Sequence, residues 1–148
     1  MLARVSQRTE RDCVIATVAT VMGPPYTYGR VQQAQNRYPQ TTPDGMHAAW
    51  WETYLWDEGF PNEYHPVARL HSIVGPPANI VGIVMLRPLS GNHGHVIAVD
   101  ERGCINSATN WPERILSLTE LLDEYWRLGS PYTPEEIFLA IWPQCSRQ

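Results

Sequence analysis

Residues 94–109 read GHVIAVDERGCINSAT, and this stretch decides the fold. Two apolar segments, HVIAVD and CINSA, are separated by Glu101-Arg102-Gly103, where the glycine suits a tight turn. The pattern predicts an antiparallel β-hairpin. Upstream of it, an apolar run over residues 80–86 is bounded by Pro77 and Pro88 and predicts a central strand.

A helix is predicted at the beginning of the chain. Residues 12–22 read DCVIATVATVM, with apolar side chains at helical spacing. Asp12 stands at the N-cap position, and Gly23-Pro24-Pro25 ends the element. Because β-branched residues are unfavourable in an isolated helix, we expect this one to be buried and stabilised by packing.

Two further helices are predicted before the strands. A short one covers about residues 28–37, and a longer one covers MHAAWWETYLWDE, residues 46–58. The longer helix follows Thr42-Pro43-Asp44-Gly45 and is closed by Gly59. We expect its aromatic face to pack in the core, with a binding surface as the alternative interpretation.

The C-terminal part predicts a surface helix and one more element. Ser117 caps the helix, with Glu120 three residues later as in a capping box. IFLAIWP, residues 137–143, predicts a last strand; the alternative is a helix opened by Thr133-Pro134-Glu135-Glu136. Helices come first and antiparallel strands later, so the expected class is α+β, with N-terminal helices packed on a small antiparallel sheet.

Length and composition exclude several classes of protein. A chain of 148 residues fits a single domain over 1–148, and 43% hydrophobic with 18% charged residues is typical of a globular chain. A net charge of -4 gives no reason to expect a nucleic-acid partner. No secretory signal precedes Cys13, and no apolar run approaches the ~20 residues that span a bilayer. We therefore expect a cytoplasmic protein without a membrane partner.

Three cysteines lie far apart, at positions 13, 104 and 145. The odd number and wide spacing argue against a disulfide framework and against a CxxC zinc site, so we expect reduced thiols. A metal hydrolase is a weak third option, because only His93 and His95 are close together and no HExxH pattern exists. No cofactor and no metal are expected.

Cys13 is the candidate nucleophile. It stands at the start of the first predicted helix, where unpaired N–H groups and the helix dipole favour a thiolate and lower a cysteine pKa. The alternative is a buried structural cysteine. Gln7, six residues earlier, is the candidate oxyanion donor together with the Cys13 N–H, although a surface glutamine is equally compatible with its position.

His95 is the candidate general base, because the first residue of a strand holds an imidazole rigidly; His93, in the preceding loop, is the alternative. Asn106 is the candidate third group, which orients the imidazole. If the hairpin turn is two residues long, His95 and Asn106 share a face, whereas a bulge would favour Ser107 or Asn110. Asp100 lies at the far end of its strand.

These residues together resemble the papain-like cysteine peptidase clan, and within it the bacteriocin-processing peptidases that remove double-glycine leaders. The resemblance runs over nearly the whole chain: the Gln7-to-Cys13 spacing, Asp12-Cys13, the segment from Asp44-Gly45 to Gly59-Phe60, and Gly94-His95. It implies a papain-like fold with Cys13 as nucleophile, His95 as base, Gln7 as oxyanion donor and Asn106 as orienter. It also suggests, with the compact size, a prokaryotic or phage origin.

The sequence departs from the family at two points. Val14 follows the cysteine where the family usually has glycine, and Asn106-Ser107 stands in place of Asp-Pro, as in the papain branch. The resemblance implies a cysteine peptidase or isopeptidase acting on a peptide or protein substrate, with acyl transfer as a possible outcome. The alternative is a catalytically silent binding module, an inhibitor or adaptor with Trp and Tyr anchors. The sequence does not indicate an oligomeric state.

Overall fold

The computed structural model describes residues 2–9, 12–38, 49–89 and 94–145. Within these ranges the helices are α1 (Cys13–Met22), α2 (Tyr28–Arg37), α3 (Ala49–Asp57), α4 (Leu70–Ile73, after a 3-10 turn at Val67–Arg69) and α5 (Leu118–Arg127). The strands are β1 (Asn62–Pro66), β2 (Val81–Pro88), β3 (His95–Asp100), β4 (Gly103–Ile105) and β5 (Tyr132–Ile141). None of the helices in these ranges is long and apolar enough to cross a membrane.

The strands form one antiparallel sheet in the order β1-β5-β2-β3-β4. The apolar run predicted as a central strand is β2, which lies in the middle of the sheet. The predicted α+β class is confirmed, as are the first two predicted helices, the hairpin and the surface helix whose N-terminus Ser117 caps.

Alternate residues of the strands fill two separate cores. Val96 and Ala98 of β3 pack with helices α1 to α3 on one face of the sheet, where Trp51 and Tyr54 of α3 are fully buried. The predicted core role of that aromatic helix is therefore confirmed. Ile97 of β3 belongs to the second core on the opposite face, together with residues of α5. The sheet thus separates two helical layers, as period-2 alternation requires.

The hairpin turn is two residues long, because Asp100 pairs with Gly103. Gly103 has a φ of 130°, and a Cβ there would lie 2.2 Å from the carbonyl oxygen of Ile115. Only glycine fits this position. The strand β4 ends at Ile105, earlier than the predicted CINSA segment, so the chain leaves the sheet beside the first residues of β3.

The predicted last strand is confirmed as β5, and one further strand was missed. The strand β5 begins at Tyr132, so the alternative helix opened by Thr133 is wrong; Pro134 pairs with Leu86 of β2. The strand β1 reads NEYHP and was not predicted, because its pairing with β5 is not encoded in any local alternation. The segment Thr42-Pro43-Asp44-Gly45 and the predicted beginning of the third helix, residues 46–48, lie outside the described residues.

Candidate active site

Cys13 is the first residue of α1 and is 5% exposed. Asp12 occupies the predicted N-cap position, but its side chain makes no capping bond, which corrects the prediction of an ordinary cap. Its carboxylate instead accepts hydrogen bonds from the backbone of Arg8 and Thr9 and from the hydroxyl of Tyr28. The N–H groups of the first helical turn are therefore left to the sulfur.

The pKa of the Cys13 thiol is raised, which overturns the prediction that the helix terminus lowers it. Burial is the largest cause, and the nearby Asp12 carboxylate also raises the pKa. Hydrogen bonds from the backbone of Val96, Val14 and Cys13 itself act in the opposite direction but are outweighed. The sequence shows the helix terminus but not how deeply tertiary packing buries the thiol. The side chain of Cys13 at rest is therefore a neutral thiol.

The thiol of Cys13 lies against the beginning of β3. A backbone group lowers a thiol pKa by donating its N–H to the sulfur, so the Val96 N–H faces Sγ. Thr17 of α1 also donates its hydroxyl to the Val96 carbonyl, at 3.4 Å. The helix α1 thus packs against β3 at Val96, the residue after His95.

Two tyrosine rings lie beside the imidazole of His95. The ring centroids of Tyr125 and Tyr132 lie 6.3 and 6.2 Å from that of His95. Burial raises the pKa of Tyr132 and raises that of Tyr125 to about 12, so both hydroxyls beside the imidazole are neutral near pH 7.

His95 is 9% exposed, and its Nε2 lies 2.9 Å from Oδ1 of Asn106. The two-residue hairpin turn places both side chains on one face of the sheet, as the parity argument predicted. Burial lowers the pKa of His95, and the hydrogen bond to Asn106 only partly offsets this. The imidazole is therefore neutral near pH 7.

The hydrogen-bond partners of Asn106 fix the tautomer of His95. The Ala108 N–H donates to Oδ1 of Asn106 at 3.2 Å, so that atom is the amide oxygen. An amide oxygen only accepts, so the hydrogen of the neutral imidazole is on Nε2. The lone pair of His95 is therefore on Nδ1.

Gln7 is held from two sides. Its Nε2 donates to the carbonyl of Thr9 at 2.8 Å, and its Oε1 accepts from the Ser107 hydroxyl at 2.8 Å. Its backbone N–H donates to the Ser107 carbonyl at 2.9 Å. The turn that carries Gln7 is also bonded to Asp12, next to Cys13, so this amide is fixed relative to both ends of the site. The amide nitrogen of Gln7 carries two hydrogens, and the bond to the Thr9 carbonyl uses one of them.

The other sequence candidates lie elsewhere. His93 lies outside the described residues. Ser107 contacts Gln7, Asn110 is exposed, and Asp100 pairs with Arg114 at the other end of β3. Sequence reasoning missed Tyr125, because nothing in a surface-helix pattern indicates that one tyrosine reaches Asn106. Among the residues that the structure describes, no cluster of His, Cys, Asp and Glu is arranged to hold a metal.

Comparisons with known proteins give one informative match. No protein family model matches the sequence, and no curated protein matches it. Among solved structures, the chain is similar to the peptidase domain of Streptococcus ComA, a bifunctional ABC transporter involved in a quorum-sensing pathway. The TM-score is 0.66 at 16% identity, over 96% of this chain and 98% of that one. The fold of the chain is therefore that of this peptidase domain.

Proposed function

We propose that the protein is a cysteine peptidase or isopeptidase that cleaves a peptide-type bond through an acyl-enzyme on Cys13. The hydrogen bond of 2.9 Å between His95 Nε2 and Asn106 Oδ1 carries this proposal, since it leaves Nδ1 as a base. The position of Cys13 at a helix N-terminus, beside the strand that bears His95, supports it, as does a fold shared with a peptidase domain.

The proposed reaction begins with two neutral groups. His95 Nδ1 takes the thiol proton while Sγ of Cys13 attacks the carbonyl carbon. The oxyanion is stabilised by the Cys13 N–H and by the Gln7 amide, whose loss typically costs roughly 10²–10³ in rate. The C–N bond breaks as His95 returns the proton to the leaving amine. Water, or another amine in a transfer reaction, then attacks the thioester and releases the thiol.

The experiment is labelling with a peptide vinyl sulfone, which forms a thioether with an activated thiol. Cys145 is exposed, so the protein carries Cys145→Ser throughout. Both thiols are buried, but we expect modification at Cys13, whose proton the proposed base His95 accepts, and none at Cys104, whose pKa burial raises to about 12. His95→Ala should slow labelling by roughly 10²-fold or more. Labelling that is equally fast in His95→Ala would contradict the proposal.

The substrate is sought by comparing new protein termini in cells that produce the wild-type protein or Cys13→Ala. Termini that depend on Cys13 give the cleaved sequence directly. New amide linkages that depend on Cys13, without new termini, would assign a transferase instead.

A second candidate is a binding module without chemistry. It is favoured by the burial of Cys13 and His95, at 5% and 9% exposure, and by the raised pKa of the thiol. Trp56 and Trp126, 56% and 61% exposed, are the anchors such a module would present. This candidate predicts that Cys13→Ala leaves every cellular effect of the protein unchanged.

A further inference from the structure

The side chain of Asn106 has a chemical asymmetry that a carboxylate lacks. The side chain is 1% exposed, and its oxygen accepts a hydrogen bond from His95 Nε2. An amide NH2 in that place would face a ring nitrogen that carries the hydrogen, and two donors cannot pair. Asparagine has two orientations related by a flip of the amide, and they differ little in shape. Something must therefore select the orientation that faces oxygen towards His95.

The Ala108 N–H, which can only donate, supplies that selection, and the Tyr125 hydroxyl holds the selected amide from its other side. The Ala108 N–H donates to Oδ1 at 3.2 Å, within the same loop. The Asn106 Nδ2 donates to the hydroxyl of Tyr125 at 2.9 Å, and Tyr125 lies on α5, nineteen positions later in the chain. The hydroxyl is neutral, because burial raises the pKa of Tyr125 to about 12.

The ring of Tyr125 is itself fixed by aromatic packing. Its centroid lies 4.4 Å from that of Trp111 and 4.7 Å from that of Tyr132. Tyr125 is 8% exposed, so neither the ring nor the hydroxyl has room to move away from Asn106. The tyrosine therefore presents its oxygen at a constant place.

We propose that Tyr125 is a positioning residue that holds the Asn106 amide in the orientation selected by the Ala108 N–H, and so maintains the tautomer of His95. This inference rests on the proposed function for its catalytic consequence, but its structural part does not. A tyrosine that merely filled space would contribute its ring, whereas the proposed role of Tyr125 depends on its hydroxyl. The specific prediction is that aspartate at position 106, whose two carboxylate oxygens are equivalent, does not need the Tyr125 hydroxyl.

The test is a cycle of Tyr125→Phe, Asn106→Asp and the double variant. We expect Tyr125→Phe to lower kcat/KM, or the rate of vinyl sulfone labelling, about 10- to 100-fold, because a buried donor loses its partner and the flipped amide becomes populated. The double variant should lie within about 3-fold of Asn106→Asp alone. The proposal would be overturned if Tyr125→Phe lowered the rate equally in the wild type and in Asn106→Asp, or if it did not lower the rate in the wild type.

A second measurement needs no activity. The ¹⁵N shifts of the His95 ring, assigned with His95→Gln, report which nitrogen carries the hydrogen at a pH above the ordinary histidine value of about 6.5. We expect the Nε2–H form in the wild-type protein and in the double variant, and a mixture in Tyr125→Phe. An unchanged tautomer in Tyr125→Phe would refute the positioning role even if the protein cleaves nothing. If the ¹⁵N shifts are as expected but no Cys13-dependent chemistry is found, the proposed peptidase activity is refuted and the positioning role of Tyr125 is not.

The matched control is Tyr64→Phe, which removes another partly buried tyrosine hydroxyl bound to a side chain, that of Glu52. Tyr64 lies on β1, at the edge of the sheet opposite β4. We expect its labelling rate and its His95 tautomer to match the wild type. Thermal melting of each variant verifies that it is folded, and the retained ring of Tyr125→Phe keeps the aromatic packing.

Discussion

The two ends of β3 each bury a titratable side chain, but they stabilise it in different ways. His95, at the first residue, is held as a neutral ring by neutral partners. Asp100, at the last residue, is held as a carboxylate by Arg114 and by the backbone of Leu2 and Arg102. Both ends also have a buried cysteine, Cys13 and Cys104.

Under the proposed function, the difference separates a reactive arrangement from a structural one. At the Asp100 end the charge is matched by a cation, and Arg114 also donates to the Leu2 carbonyl, so the N-terminal segment is tied to the hairpin. At the His95 end the bonding is directional, and it leaves a lone pair on Nδ1. Burial near a titratable group is common to both ends, so burial alone does not identify an active site.

The largest expected effect contrasts the two cysteines. Cys13→Ala should reduce kcat/KM on a peptide substrate by roughly 10⁴–10⁶, as removal of a nucleophile does. Cys104→Ala should leave kcat/KM within about 3-fold, because its thiol is inert, and should lower only the free energy of unfolding, by about 1 kcal/mol. Comparable losses in both variants would mean that the two ends do not differ in function.

The next effect tests how the oxyanion is bound. Gln7→Ala should lower kcat by roughly 10²–10³ with little change in KM, because the donor acts mainly in the transition state. Gln144→Ala is the control, since Gln144 also donates its amide, to Tyr26 and Glu58. A rise in KM at constant kcat would instead assign Gln7 to substrate binding.

The Asp100 end should respond in stability rather than rate. Asp100→Asn should lower the free energy of unfolding by about 1–3 kcal/mol, less than for a fully buried pair because 20% of the Arg114 side chain is exposed. Burial raises the Asp100 pKa, but the hydrogen bonds from Arg114 and the backbone outweigh it and lower the pKa below 3.8. The stabilisation is therefore present above that pH and is lost as pH falls through the lowered pKa.

Denaturant unfolding at neutral and acidic pH measures this contribution. The wild type and Asp100→Asn should converge at low pH. Glu124→Gln, which removes an exposed ion pair with Arg127, should leave the melting temperature unchanged. A loss of activity in folded Asp100→Asn would show that this end also serves the reaction.

The smallest effect is a shift in pH dependence at the His95 end. Because burial lowers the pKa of His95, kcat/KM should persist below the ordinary histidine value of 6.5 and fall only as pH drops through the lowered pKa. Asn106→Ala removes the bond that raises this pKa, so its acid limb should move to lower pH. Asn106→Asp places a negative charge beside the ring, so its acid limb should move to higher pH. If the acid limb lay at the same pH in the wild type, Asn106→Ala and Asn106→Asp, His95 would be excluded as the base.

Much of the fold was predictable because its signals are local. The apolar run in HVIAVD, the glycine at position 103 and the Ser117 cap specify their elements over a few residues. The strand β1 was not predictable, since NEYHP has no apolar face of its own and is a strand only through β5. The same holds for the first half of β5, whose Thr133-Pro134-Glu135-Glu136 sequence is typical of a helix start.

The sequence by itself determined which residue types were available for chemistry and where along the chain they stood. Cys13 at a helix start follows from helical periodicity, and period-2 alternation puts His95 and Asn106 on one face once the turn is two residues long, a length that the structure supplied. Only the tertiary structure decided their protonation, because burial raises one pKa and lowers the other. It alone also brought Tyr125 of α5 to Asn106, since that contact depends on how a distant helix packs on the sheet.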